Sequence, residues 1–161
     1  KKVARFAETF EMNVIFYDKK IKKNKKFKKV NSIYKLVSIS DIVTIHASLN
    51  SETFHLINTD VLSRFKKNSI IINTARGSII DSKALVNSLK NKQIKGAAVD
   101  LIENEIFFYK KKNDPLINYS KNNTNILITP HIGGFTAESV KKTDLFILKK
   151  FNNFLLKNKF K

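Results

Sequence analysis

Cysteine is absent from the 161 residues, which excludes a disulfide framework, a thiol nucleophile and a thiolate metal site. That suits the cytoplasm, the compartment expected here. No apolar run approaches the roughly 20 residues needed to span a bilayer as a helix, and no signal-peptide pattern is visible, so no membrane partner is expected. Glycine is almost as scarce. Gly77, Gly96, Gly133 and Gly134 are the only ones, so no Gly-x-Gly-x-x-Gly turn, the usual phosphate cradle at a helix N-terminus, can form within these residues. The length suits one domain with a real core better than two. The first residue is Lys rather than Met, from which a missing N-terminal segment is expected.

Acidic residues are few beside basic ones: 13 Asp and Glu face 31 Lys and Arg, a formal charge of +18. Such an excess ordinarily points to nucleic acid or an anionic surface. Here the basic residues are mostly Lys, interleaved with Asn, Ile and Phe. The densest run, Lys19 to Lys29, offers little aromatic or glycine content for stacking on bases. A general compositional bias explains the charge more simply, and nucleic acid is not the expected partner. Against that lysine background, Arg5, Arg64 and Arg76 are the arginines.

Apolar periodicity supplies the elements. Val3, Ala4, Phe6, Ala7 and Phe10 recur at helical spacing, and Asn13 to Tyr17 reads as a strand ending at Asp18. Lys19 to Lys29 reads as an exposed loop, because its charge cannot be buried. A short helix is predicted over Ile33 to Ile39, a strand over Asp41 to His46 and a helix over about Thr59 to Phe65. Further strands are predicted at Ser69 to Asn73, Lys95 to Asp100 and Asn125 to Thr129. A helix over about Ser82 to Asn91 is capped by Asp81. Phe107 to Thr124 reads as a polar, irregular excursion. Thr136 to about Leu156 reads as a closing helix whose apolar positions include Val140, Leu145, Leu148 and Phe151. Apolar strands alternating with helices indicate one α/β domain with a doubly wound parallel sheet.

In such a sheet, residues at the carboxyl ends of the strands gather in one crevice. Arg76, then Asp100 and Glu105, then His131 each follow an apolar stretch. An arginine, a carboxylate and a histidine meeting there are the parts needed to oxidise an alcohol beside a carboxylate. Gly77 permits unusual torsions or a close approach that other residues resist, and Arg76 offers a planar fork matched to a carboxylate. The plain alternatives are a surface arginine, a histidine capping a loop after Pro130, a turn-forming Asp18 and a solvated Glu105 beside Glu103.

Three segments argue against those alternatives: Asn73 to Asp81, Gly96 to Glu105, and Pro130 to Thr136. With Met12 to Asp18, Ser40 to Val43, His46 to Leu49, Glu52-Thr53 and Leu56-Ile57, they resemble the NAD-binding domain of the D-isomer-specific 2-hydroxyacid dehydrogenases, in order and spacing, over essentially the whole chain. The resemblance implies a Rossmann-like fold, NAD as cofactor and hydride transfer at C2 of a small 2-hydroxy or 2-oxo acid, with 3-phosphoglycerate among the candidates. It implies that Arg76 holds the substrate carboxylate and polarises the C2 oxygen, that His131 exchanges the hydroxyl proton, and that Glu105 favours the protonated imidazole. Asp18 would bind the adenosine ribose and Asp100 would face the nicotinamide. The cofactor-side positions by resemblance also include His46, Ser48, Thr74, Ala75, Gly133 and Gly134. No metal is implied, since Arg76 supplies positive charge beside the oxygen. Which glutamate serves His131 is ambiguous locally, and the family's spacing from Asp100 selects Glu105. His46 and His55 are poorer candidates for chemistry. A homodimer is implied by resemblance. A competing reading is a non-catalytic, NAD-sensing or nucleic-acid-binding module of the corepressor kind.

The pattern departs from the family at Ile106 and Ser48, where it usually has Pro, and in the longer stretch from Phe107 to Thr124. The glycine-rich turn and the central strand before it are not among these residues, nor is a substrate-binding domain. Each apolar side chain left uncovered forfeits ~1.5–3 kcal/mol of burial, against a typical net stability of about 5–15 kcal/mol. A fragment of a larger enzyme, inactive by itself, is therefore expected.

Overall fold

A computed structural model describes residues 2–21, 26–103, 105 and 113–157. The chain divides into two compact units, residues 1–128 and 129–161, each taken here by itself. The first unit holds α1 (Lys2–Thr9), β1 (Ile15–Phe16), β2 (Lys28–Lys29), α2 (Ile33–Ile39), β3 (Ile42–Ile45), α3 (Thr59–Ser63), β4 (Ile70–Asn73), α4 (Ser82–Lys90), β5 (Gly96–Val99), α5 (Pro115–Ser120) and β6 (Ile126–Ile128). The second holds α6 (Ala137–Lys157).

β3, β4, β5 and β6 form a four-stranded sheet in chain order, every neighbouring pair parallel. Parallel neighbours need a crossover, and α3, α4 and α5 supply it. Each crossover helix starts where a polar side chain takes over orphan amide donors. Asn58 Oδ1 accepts from the Val61 N–H at 3.0 Å, and Asp81 Oδ1 accepts from the Lys83 and Ala84 N–H groups at 2.9 and 3.0 Å. Ser32 opens α2 in the same way. The core lies between these helices and one face of the sheet, where Ile71, Leu62, Leu85 and Leu89 are fully enclosed. On the other face Ile42 and Leu127 stay exposed, by 43% and 62%.

Two differences from the sequence reading concern short elements. Lys28–Lys29, read as part of a loop, forms a two-residue strand paired in parallel with β1, and residues 22–25 of that stretch lie outside the described residues. The excursion from Phe107 to Thr124 contains α5, while its residues 107–112, and Ile106 before them, also lie outside the described set. Asp114 starts α5: its Oδ1 accepts from the Leu116 and Ile117 N–H groups at 2.8 and 3.1 Å, and Pro115 follows with its φ already suited to a helix. In α6, Val140, Leu145, Leu148 and Phe151 are exposed, and the helix buries none of its residues.

The cap at Asp114 predicts a pH-dependent stability. The residue is only 7% exposed. Burial pushes its carboxyl above the ordinary carboxylate range; the two amide donors oppose this, and the nearby Glu103 charge adds to it. A proton bound more tightly in the folded chain means that stability is eroded as pH rises above the ordinary 3.8 of the unfolded group. Asparagine caps as well as aspartate and carries no charge. Asp114→Asn is thus expected to raise the urea midpoint at neutral pH and to leave it unchanged at about pH 3, where the wild-type carboxyl is protonated. Equal midpoints at both pH values would show that the buried charge costs nothing.

Candidate active site

The register of the sheet aligns its four exits. Ile45 lies opposite Asn73, Asn73 opposite Val99, and Val99 opposite Ile128. His46, Thr74 and Asp100 therefore leave neighbouring strands at one edge, the end at which open parallel sheets bind ligands. Ile128 closes the first unit, so His131, Gly133 and Gly134 belong to the second.

Arg76 is presented by a built turn. Asn73, only 1% exposed, ends β4. Its Nδ2 donates to the Arg76 carbonyl at 2.9 Å and its Oδ1 accepts from the Ala75 N–H at 3.0 Å. Both ends of the buried amide are satisfied by the bend that turns Arg76 out, as burial requires. Beyond it Gly77–Ile79 forms a single 3₁₀ turn. The guanidinium is exposed, and Nη1 donates to the Ala75 carbonyl at 2.6 Å. Thr74 is exposed and Ala75 partly so. Gly77 is explained by close approach rather than by torsion: it has no positive φ, and a Cβ there would lie 2.1 Å from the Ile102 carbonyl oxygen.

Asp100 is buried, and its N–H donates to the Asn73 carbonyl at 2.9 Å, so the exits of β4 and β5 are tied backbone to backbone. Glu105 is partly buried beyond it. His46 is held by its own strand, with Nε2 3.1 Å from Thr44 Oγ1. Partial desolvation lowers its imidazole below the usual value, which favours the neutral ring. Ser48 accepts at its carbonyl from Thr53 Oγ1 at 2.7 Å, bracing the loop after β3. Asp18 follows β1 in the two-stranded sheet, and its Oδ1 accepts from the Lys20 and Ile21 N–H groups at 2.7 and 2.8 Å. Lys19 reaches Glu52 at 3.6 Å, bringing that turn beside the loop after β3.

In the second unit, His131 has φ +54°, a left-handed conformation uncommon for histidine, and its N–H donates to the Thr129 carbonyl at 3.0 Å. Its side chain is exposed, and Gly134 has open space around it. Two groups escaped the sequence reading. One is Asn73, whose signal was a polar residue closing an Ile-rich run. The other is the pair of His55 Nε2 and Glu103 Oε1, 2.5 Å apart across 48 positions of sequence, which engages the second candidate glutamate. Among the described residues no group of three His, Cys, Asp or Glu is placed to hold a metal ion, and no helix is long and apolar enough to cross a membrane.

A parallel sheet with crossover helices and polar residues gathered at its carboxyl edge is the architecture of the Rossmann-like α/β class. Comparison with known proteins narrows this. The chain belongs to the D-isomer specific 2-hydroxyacid dehydrogenase NAD-binding domain family, whose model matches residues 1–133. It is 33% identical over 159 residues to the D-3-phosphoglycerate dehydrogenase of Methanocaldococcus jannaschii, covering 96% of this chain and 29% of that protein. Among solved structures, D-2-hydroxyisocaproate dehydrogenase superposes with a TM-score of 0.89 at 28% identity, over 98% of this chain and 50% of the other. D-lactate dehydrogenase from Aquifex aeolicus, complexed with NAD and lactic acid, does so with 0.82 at 29% identity, over 97% and 51%. The chain thus spans about half or less of the length of these relatives.

The residues present fit part of an NAD site. Thr74 and Ala75 leave room at the exit of β4, Asp100 places a buried carboxylate at the exit of β5, and Asp18 carries a carboxylate after β1 whose Oδ1 is engaged by the Lys20 and Ile21 amides. The four glycines of the chain lie elsewhere and supply no pyrophosphate turn.

Proposed function

We propose that these residues form the cofactor-binding part of an NAD-dependent D-2-hydroxyacid dehydrogenase, working at C2 of a small 2-oxo or 2-hydroxy acid. The observation that carries this is the turn at Arg76. A buried asparagine and a glycine packed on a neighbouring segment present an exposed guanidinium beside the strand exits. A planar fork held in that way suits bidentate capture of a carboxylate and polarisation of the adjacent carbonyl. Bound NAD supplies or accepts the hydride. His131 gives a proton to the C2 oxygen in reduction and takes it back in oxidation, with Glu105 as the carboxylate that favours the charged imidazole. Asp18 orients the adenosine ribose and Asp100 the nicotinamide end. His46, Ser48, Thr74, Ala75, Gly133 and Gly134 line the cofactor side. The working form is a homodimer, as the family resemblance implies. Nothing observed favours the non-catalytic or nucleic-acid-binding alternative.

The whole protein, given NADH and a panel of 2-oxo acids that includes pyruvate, hydroxypyruvate, its phosphate and phenylpyruvate, is expected to consume NADH with at least one of them. Binding of NADH without turnover on any member would overturn the proposal.

A further inference from the structure

We propose that His55 and Glu103 are a positioning pair that locks the turn of Arg76 and the segment of Glu105 into one rigid unit. The inference rests on the function proposed above, though its structural half can be tested without it.

His55 lies at φ +47°, a left-handed conformation uncommon outside glycine. Its N–H donates to the Ser78 carbonyl at 2.9 Å, and its ring stacks on Phe54 with centroids 4.1 Å apart. Two residues on, the Ile57 N–H donates to the Ile79 carbonyl at 3.0 Å and the Ile57 carbonyl accepts from the Asp81 N–H at 3.0 Å. Residues 55–57 therefore grip residues 78–81, just beyond Gly77, from one side. From another side the backbone of Ile102 and Glu103 lies against Gly77, so close that a Cβ there would meet the Ile102 oxygen at 2.1 Å and the Glu103 nitrogen at 2.6 Å.

The His55–Glu103 hydrogen bond joins these two grips through side chains that are only 31% and 19% exposed. A carboxylate can only accept, so Nε2–H donates, and a partly buried, charge-assisted bond of this length is among the stronger kinds. The Glu103 charge also faces Asp114, a like charge at the start of α5. Without the imidazole, that repulsion would push Glu103 outward, away from the turn at Gly77. Arg76 is one residue from Gly77, and Glu105 is two residues from Glu103. One bond thus fixes the spacing of two groups that must act on the same substrate, while touching neither substrate nor cofactor.

The test uses the whole protein with Glu103→Ala, His55→Ala, the double variant and Glu103→Gln. Each alanine variant is expected to lower kcat by about 10–100-fold while the NADH Kd moves by less than about threefold, the signature of lost alignment rather than lost binding. The double variant should lose no more than either single one, because both remove the same bond. Glu103→Gln, which keeps an acceptor oxygen for Nε2–H, should recover most of kcat. Losses that multiply in the double variant, or an unchanged kcat in either single one, would overturn the pairing. If the wild-type protein proves inactive, amide hydrogen exchange decides instead. Glu103→Ala should speed exchange at the His55 and Ile57 amides, and unchanged protection there would overturn the lock whatever the reaction.

Discussion

His131→Asn is expected to lower kcat of the whole protein by about 10²–10⁴-fold, the usual worth of a positioned acid–base group. Asparagine isolates the chemistry from the fold. His131 has a left-handed backbone at φ +54° and an N–H bonded to the Thr129 carbonyl; asparagine tolerates that region better than most residues. It can still donate a hydrogen bond to a C2 oxygen, yet it cannot exchange a proton near neutral pH. KM for the 2-oxo acid and Kd for NADH should accordingly change little, and the loss should sit in kcat. His46→Asn is the contrasting variant: His46 lies on the cofactor side and is tied to Thr44 within its own strand, so its loss should appear in the NADH Kd and not in the proton-transfer step. A His131 variant within tenfold of wild type would remove histidine from the proton transfer.

How far these parts could be read from the residues alone depended on whether their signals were local. The parallel strands β4, β5 and β6 were legible because runs such as Ile70 to Ile72 are apolar without alternation and are bounded by polar residues. The cap at Asp81 was legible because one side chain does all the work within three residues. Asp114-Pro115 carries the same kind of signal for α5, but it was masked by the surrounding Lys and Asn. Lys28–Lys29 has no strand pattern of its own and exists only through its pairing with β1. At the site, Arg76 and Asp100 stood out as polar residues after apolar runs. Asn73, by contrast, reads as the last residue of a strand, and its two bonds to the turn become visible only in three dimensions. The His55–Glu103 bond is non-local altogether: nothing near residue 55 reports what residue 103 is. That bond engages one of the two glutamates that follow β5.

Gly77→Ala is expected to cost about 3 kcal/mol or more of stability, at the upper end of what overpacking does. The obstacle is the Ile102–Glu103 peptide backbone: a Cβ would stand 2.1 Å from the Ile102 oxygen, 2.2 Å from its carbonyl carbon and 2.6 Å from the Glu103 nitrogen. A flexible side chain would swing away, whereas these atoms can retreat only if the segment after β5 moves as a whole. That segment carries Glu103 and Glu105, so the same substitution should also break the bond to His55 and abolish turnover. Two other glycines calibrate the effect. Gly96→Ala brings a Cβ to 3.1 Å from the Asn125 oxygen, a contact that a few tenths of an ångström would relieve, and should cost about 1 kcal/mol. Gly134→Ala meets nothing within 4 Å at a backbone without positive φ, and should be neutral or stabilising by up to about 1 kcal/mol through the unfolded state. Urea denaturation of the three variants of the whole protein should rank them in that order. A Gly77 variant no less stable than the Gly134 variant would mean that Ile102 does not lie against the turn of Arg76, and the rigid presentation of the guanidinium would lose its physical basis.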